Sequence, residues 1–587
     1  MGANQSDLSN ARYGYDMVVA VTQESINGTM KEYLSGGSSP EVIMYYVMDS
    51  SGNPKSISKA DLLKATGGVD PLSIPASTPL TDPRLKAVSK AFFWYGFKAK
   101  IGLPPGYAPI TPNGPALPNV VTLTASKGMV NYNLMCSEFQ VVEASYGPRG
   151  IVAWLNESQP NGKGWFFNAK IPISQVEVSD DSNLPTDVKN AANALPAGTF
   201  SVQQLLLELD KAILNNPPKI EGVKPGTPLY TALNEIFLGA YFAQMKASGQ
   251  PVLNYSIHQA SAPAGSISVA DLELSINPIL GANGQPISNP TPAQQNLDTL
   301  CYLCTTPGHP LPPATQFTWN WVDESEAATT AGTMAIKKSV FVDHLQKQLA
   351  AVGAGPALCK IPQPNIHVNE DLTGGSLNLT FVPAPNNKFP LSERSYQVPT
   401  VDGPVVLSLG WAASGKDESH GYLGAKLGEF KVKYYITSSI TLSTNKITLT
   451  NHFVMHADLS VLHFATADGN WVDVEITTDY LMGVDASGGL SITQQPSVIG
   501  KNKGNTGENL IIKLMHFFDS DITLKHIINT FNNWAAGLSQ QSIDSLSAAL
   551  NGSRKWVFPG GKTFSFESTG FPDSQDLVAN LLYNSTH

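Results

Sequence analysis

Lys446-Ile447-Thr448-Leu449-Thr450-Asn451-His452-Phe453-Val454-Met455-His456-Ala457-Asp458-Leu459 places apolar side chains at nearly every odd position, and the pattern runs on to Phe464. A period of two belongs to a strand with one buried face; a helix would repeat every three to four residues. Glu429 to Leu442 and Trp471 to Tyr480 alternate in the same way. The 49 Gly and 42 Pro fall between short β-branched and aromatic runs, which is the pattern of many strands joined by turns. A helical bundle is therefore excluded, and a β-rich chain with a few helices is expected.

Length divides such a chain. At 587 residues it exceeds the roughly 250 to 300 that one hydrophobic core supports, so two large lobes are expected. The Pro-, Asn- and Gln-rich segment 281–314 reads as the connection between an N-terminal lobe, 1–280, and a C-terminal lobe, 315–587.

Met17 to Val21 reads as a buried strand, after which Ile26, Met30, Tyr33 and Leu34 fall at helical spacing. Lys90 to Ile101 reads as an aromatic strand, and short strands follow as far as Val178, as in a meandering antiparallel sheet. Two helical patterns come next, Val202 to Leu214 and Leu229 to Lys246; the second presents Leu233, Phe237, Leu238, Tyr241, Phe242 and Met245 on one broad face. Thr318 to Val322 begins a new strand, and Met334 to Ile336 followed by Phe341, Leu345 and Leu349 repeats strand then helix. One constant offset carries Ala20-Val21 to Ala335-Ile336, Ile26 to Phe341, Met30 to Leu345 and Leu34 to Leu349. This reads as a faint internal duplication, although any strand feeding an amphipathic helix shares the pattern. A long helical region, Glu508 to Leu550, carries apolar pairs every three to four residues, and the chain closes with a strand-like Lys555 to Phe566 and a short helix from Asp576 to Tyr583.

Charge narrows the function. Lys plus Arg number 37 against 47 Asp plus Glu, a formal net charge of -10 that repels phosphate polymers in the absence of a basic stripe. The densest basic stretches, Lys426 to Lys433 and Lys501 to Lys503, are broken by acidic or polar residues, so nucleic acid is not an expected partner. No window approaches the 18 or so apolar residues of a membrane-spanning helix, and the first twenty residues lack the order of a signal peptide. Cytosolic synthesis is expected, with non-classical release and peripheral membrane contact left open. Met1-Gly2-Ala3-Asn4-Gln5-Ser6 fits the N-myristoylation pattern, which would act only in a eukaryotic host. Four cysteines make no disulfide framework.

Several short motifs approach known chemistry. Gly410-Trp411-Ala412-Ala413-Ser414-Gly415-Lys416 is close to a phosphate-binding loop, but Asp417 stands where a Ser or Thr must meet magnesium. Cys301 and Cys304 have the gap of a zinc knuckle, with His309 nearby and Cys359 further on, yet a second ligand pair is missing. His452 and His456 share a strand face and His463 points the other way, so three ligands on one metal are hard to arrange. Asp323/Glu324 and Asp180/Asp181 read as solvated surface before they read as a glycosidase pair. The nucleophile-elbow, zincin and dinucleotide signatures are absent, so an enzyme is not expected, and neither is a cofactor.

Three patches resemble one family. They are Tyr13-Gly14-Tyr15-Asp16 running into Val19-Ala20-Val21 and Ile26-Asn27; Trp319-Asn320-Trp321 running through Ala335-Ile336 to Leu349; and Trp556-Val557-Phe558-Pro559-Gly560 through Phe564 and Phe566 to Leu582-Tyr583. In order and spacing they look like the OrfX-type and 47-kilodalton proteins of clostridial neurotoxin gene clusters, in the tubular lipid-binding (TULIP) superfamily. Tyr15 departs from the Trp associated with that position. The resemblance implies an α+β, TULIP-like fold in which long amphipathic helices lie on strongly curved antiparallel sheets, in two tandem lobes. It also implies an apolar groove between helix and sheet, which Phe237, Tyr241 and Phe242 would line from one helical face and Leu514, Phe518, Ile528 and Phe531 from the other. The function implied is non-enzymatic binding, with or without transfer, of a lipid or hydrophobic small molecule. The alternative, suggested by the polar, low-charge surface, is a protein-interaction accessory of a toxin-type or secreted complex.

Overall fold

The computed structural model describes residues 2–35, 40–108, 113–124, 128–177, 200–207, 212–216, 218–247, 252–259, 270–353, 362–371, 374–383, 395–397, 405–462, 465–484, 490–501, 503–504, 556–558 and 562–583. Antiparallel sheet dominates it. A thirteen-stranded central sheet runs in the order Asp271–Asn277, Thr299–Thr305, Met17–Thr22, Gly332–Ile336, Leu577–Tyr583, Lys562–Gly570, Trp556–Phe558, Val252–Gln259, Phe200–Leu207, Phe167–Glu177, Met129–Leu134 and Val121–Leu123, with Ile213–Asn216 pairing beside Phe167–Glu177. A five-stranded sheet near the N-terminus is built from Pro54–Ile57, Glu41–Met48, Phe93–Ile101, Cys136–Gly147 and Gly150–Ser158 in that order. A seven-stranded long sheet holds Ser395–Gln397, Val405–His420, Lys426–Ser443, Lys446–Val461, Ala465–Val484 and Leu490–Gln494, with Val498–Ile499 alongside.

The alternating stretches lie where the pattern places them. Lys426–Ser443, Lys446–Val461 and Ala465–Val484 are consecutive antiparallel partners, with Phe430 opposite Leu459 and Met455 opposite Val472. Phe430, Val432, Tyr434, Leu449, Met455 and Val474 are buried, and the intervening Lys433, Thr437, His452 and Glu475 are exposed. The hairpin Pro362–Asp371 with Gly374–Pro383 docks on this sheet, Ile366 N donating to Asp417 Oδ2 (2.8 Å) and Val368 N to Ser419 Oγ (2.9 Å).

Both strand-then-helix units form, as Met17–Thr22 with Gln23–Ser35 and as Gly332–Ile336 with Lys338–Gly353. The two strands are neighbours in the central sheet, antiparallel, with Val19 opposite Met334. Residue 334 is residue 19 shifted by the same 315 that separates Met30 from Leu345, so the two stretches aligned in the sequence are paired with one another in the sheet. The approach is close, because a Cβ at Gly332 would meet the Ala20 carbonyl oxygen.

Three expectations are corrected. The described part of Val202 to Leu214 is strand rather than helix: Phe200–Leu207 is bonded on one edge to Phe167–Glu177 and on the other to Val252–Gln259, and two partnered edges override a helical apolar pattern. Asp576 to Tyr583 is also strand, Leu577–Tyr583, held between Gly332–Ile336 and Lys562–Gly570. Asp576 does cap a helix, but a distant one, its Oδ1 accepting from Lys338 N (3.0 Å) while Oδ2 accepts from Leu8 N (2.7 Å) and Ser6 Oγ (2.9 Å). Thr318 to Val322 is irregular. Side chains brace it in place of a ladder: Asn277 Nδ2 donates to Trp319 O while Asn277 Oδ1 accepts from Phe317 N, Thr333 Oγ1 donates to Trp321 O, and the Asn320 amide bonds both Leu280 N and Leu280 O. The Pro- and Gln-rich 281–314 segment, read as a connection, contains the strand Thr299–Thr305, buried at every position, which leaves the division into lobes where the sequence put it. The long helix expected over Glu508 to Leu550 lies outside the described residues.

Candidate functional site

The helix Pro228–Glu235 begins on Thr227, whose Oγ1 accepts from Tyr230 N (3.2 Å), with Pro228 in the first turn where its missing N–H costs nothing. It breaks at Ile236 and resumes as Phe237–Ala247. Phe237, Tyr241, Phe242 and Met245 turn inward and are buried. Phe237 meets Phe97 at 5.6 Å between ring centroids, Phe139 at 4.9 Å and Phe167 at 4.8 Å; Phe242 meets Tyr132 at 6.1 Å. Phe97 and Phe139 belong to the five-stranded sheet and Phe167 and Tyr132 to the central sheet, so this helix joins two sheets through edge-on and tilted aromatic contacts. Tyr241 donates its hydroxyl to Met135 O (3.1 Å), and burial pushes that phenol well above its ordinary range. Three of the seven residues expected along the groove are thus brought together, whereas Leu514, Phe518, Ile528 and Phe531 lie outside the described residues.

A second apolar surface is larger. Four successive strands of the long sheet have 16, 18, 16 and 20 residues. At about 3.3 Å per residue they run for roughly 50 to 65 Å. The inward face is apolar over most of that length, from Phe430 and Val432 near one end to Leu442, Ile447 and Met482 near the other. Phe430 and Trp471 lie 5.4 Å apart across it, and burial raises the Tyr434 phenol. The buried polar residues Ser419, Asn451 and Thr478 interrupt it, Ser419 bonded to Val368 N (2.9 Å) and Thr478 to Ser497 Oγ (2.7 Å).

The polar clusters are structural. Val405–His420 is one continuous strand through Gly410 to Lys416, so no loop cradles a phosphate there, and Lys416 is held by Glu418 (2.6 Å) and Glu429 (2.8 Å). Cys301 and Cys304 sit three apart on a buried strand, point to opposite faces and pack in separate cores, which bars a shared metal or a disulfide. Burial pushes the Cys301 thiol up to about 12, far from a reactive thiolate. His452 Nε2 pairs with Asp473 Oδ1 (2.8 Å) and His456 Nε2 with Asp468 Oδ1 (2.8 Å), while His463, Cys359, Asp180 and Asp181 fall outside the described residues. Asp323 and Glu324 serve a turn and Gln294 respectively. Among the described residues no group of three or more His, Cys, Asp or Glu is placed to hold a metal ion.

One cluster was not visible in the sequence because its members are 293 residues apart. Asp16, buried, accepts from Thr306 N (2.8 Å), Thr306 Oγ1 (2.6 Å) and His309 Nδ1 (2.7 Å). The hydroxyl lies on the carboxylate side of the imidazole, whereas a nucleophile would have to face Nε2. The cluster ties the 306–309 loop to the start of the Met17–Thr22 strand.

The geometry is that of a β-rich protein with extended apolar faces and, among the described residues, no assembled catalytic constellation. Matched as a whole, the structure is similar to P47 from Clostridium botulinum A2 at a TM-score of 0.42 and 9% identity, over 97% of each chain. P47 of Clostridium botulinum E1 gives 0.41 and 9%, over 97% of this chain and 100% of that one. A lipopolysaccharide binding protein gives 0.32 and 9%, over 98% and 99%. The two P47 structures are of the 47-kilodalton kind that the three sequence patches resemble. No family model and no curated protein matches the sequence.

Proposed function

We propose that this protein binds a lipid or another long apolar molecule without performing chemistry on it, and that the ligand lies along the inward face of the long sheet. The observation that carries the reading is the extent of that face: the three paired strands Lys426–Ser443, Lys446–Val461 and Ala465–Val484 present apolar side chains at most alternate positions over roughly 50 to 65 Å, more than the span of one extended acyl chain. The aromatic residues Phe237, Tyr241 and Phe242 offer a second apolar wall. There Phe237 is packed against Phe97, Phe139 and Phe167, a denser ring cluster than the Phe430–Trp471 pair on the long sheet, so the long sheet is the favoured surface. The resemblance to lipid-binding proteins in the sequence patches supports the same class of ligand.

The test is organic extraction of natively purified protein followed by lipid mass spectrometry, paired with titration by a fluorescent phospholipid. Stoichiometric co-purified lipid or saturable binding is expected. Protein that carries none and binds none would overturn the proposal.

A further inference from the structure

We infer that the end of the long sheet formed by Gly421-Tyr422-Leu423-Gly424 docks the protein on a phospholipid bilayer. The turn joins Val405–His420 to Lys426–Ser443, which are paired along almost their whole length, so the tip is carried on a stiff support. It is closed by Gly421 N donating to Ala425 O (2.9 Å) and Gly424 N donating to Gly421 O (2.9 Å), with Gly424 at φ 79°, a left-handed value that disfavours a side chain. Tyr422 and Leu423 are exposed to 104% and 91%, the extreme values among the large apolar side chains of the described residues. Leu462, at the neighbouring hairpin, is half-exposed and is tied to the same end by its N–H on Leu427 O (2.9 Å).

Folding alone gives no reason to hold an aromatic and an aliphatic side chain fully in water at a glycine-flanked tip. A bilayer interface is the environment that suits the pair, with the Tyr ring at headgroup level and Leu deeper. A protein partner fits less well, because a stable interface needs about 800 Å² from each side and a convex knob of two side chains supplies far less.

Behind the tip lies a charged collar. Lys416 and Lys426 each bond both Glu418 and Glu429, at 2.6 to 3.0 Å, and Lys431 bonds Glu429 at 2.8 Å. Asp458 stands 3.9 Å from Lys431, His420 3.6 Å from Glu418, and Asp417 is held by Ile366 N. Lysine charge is thus matched by acid. Docking should therefore run on apolar insertion, with little preference for anionic lipid and little response to salt, unlike a polybasic anchor. It needs no ligand inside the protein.

The experiment is flotation of the full chain with phosphatidylcholine vesicles, and with vesicles containing phosphatidylserine, at low and high salt. Partitioning should be similar in all four conditions. Tyr422→Ser/Leu423→Ser should lower it about tenfold or more while leaving the melting temperature and any co-purified lipid unchanged. Tyr422→Trp should gain fluorescence quenched by brominated lipid. Equal partitioning of the double variant and the parent, absence of that quenching, or binding confined to anionic vesicles at low salt would overturn the inference. Absence of co-purified lipid from a parent protein that floats would count against the internal site alone.

Discussion

Single residues set the first predictions. Asp298 is buried, its Oδ1 accepts from Ile279 N (2.7 Å), and desolvation raises its pKa from 3.8 to about 6. A carboxyl whose folded pKa is raised favours the folded state when protonated, so its contribution declines as pH rises from about 4 to about 6 and stays unfavourable above. Asp298→Asn keeps the acceptor and removes the charge. It should stabilise the protein near pH 7 by about 1 to 2 kcal/mol, discounted for partial solvation, with the gain vanishing near pH 4 in denaturation curves. Asp576 is raised by desolvation too, yet the same change there should destabilise. Oδ2 serves Leu8 N, which cannot reverse its role, so an amide nitrogen would face an N–H and cost about 1 to 3 kcal/mol at any pH. Chemical denaturation of Asp576→Asn checks this.

At the scale of elements, the side-chain amides that replace a strand ladder around Trp319 should matter more than their size suggests. Asn320→Ala strands both Leu280 N and Leu280 O in a buried setting, and a loss of about 2 to 4 kcal/mol is expected from thermal unfolding. Phe237→Ala separates two roles. If the ring is core, stability should fall by about 3 to 5 kcal/mol with lipid content unchanged; a smaller fall with lost lipid would mark it as ligand wall. The elements also explain what could be read from sequence. Lys446–Val461 was legible because one face is wet and the other dry, so burial writes a period of two into the residues. Leu577–Tyr583 and Thr299–Thr305 were not, because the first is buried at all but one described position through Leu581 and the second throughout, and a strand covered on both faces carries no alternation. Asn320 and Asn277 read as loop residues, and nothing local tells that their amides stand in for backbone. The apolar character of the Phe237 helix was plain; its partners Phe97, Phe139 and Phe167 come from strands whose adjacency only the fold supplies.

For the whole molecule, the central sheet draws neighbours from the start, middle and end of the chain. Met17–Thr22 lies between Thr299–Thr305 and Gly332–Ile336, so a fragment ending at residue 280 lacks both partners of that strand. Such a fragment should be insoluble when expressed alone and recoverable on co-expression with 281–587, as solubility and co-purification would show. The same arrangement imposes an order in time. A ribosome adding about 5 to 20 residues each second delivers Met17–Thr22 well over ten seconds before Thr299–Thr305 can reach it, and Gly332–Ile336 waits nearly as long for Leu577–Tyr583. Until then an apolar ribbon with two vacant edges must be shielded from other nascent chains, which makes attendance by a chaperone during synthesis a built-in requirement of this topology.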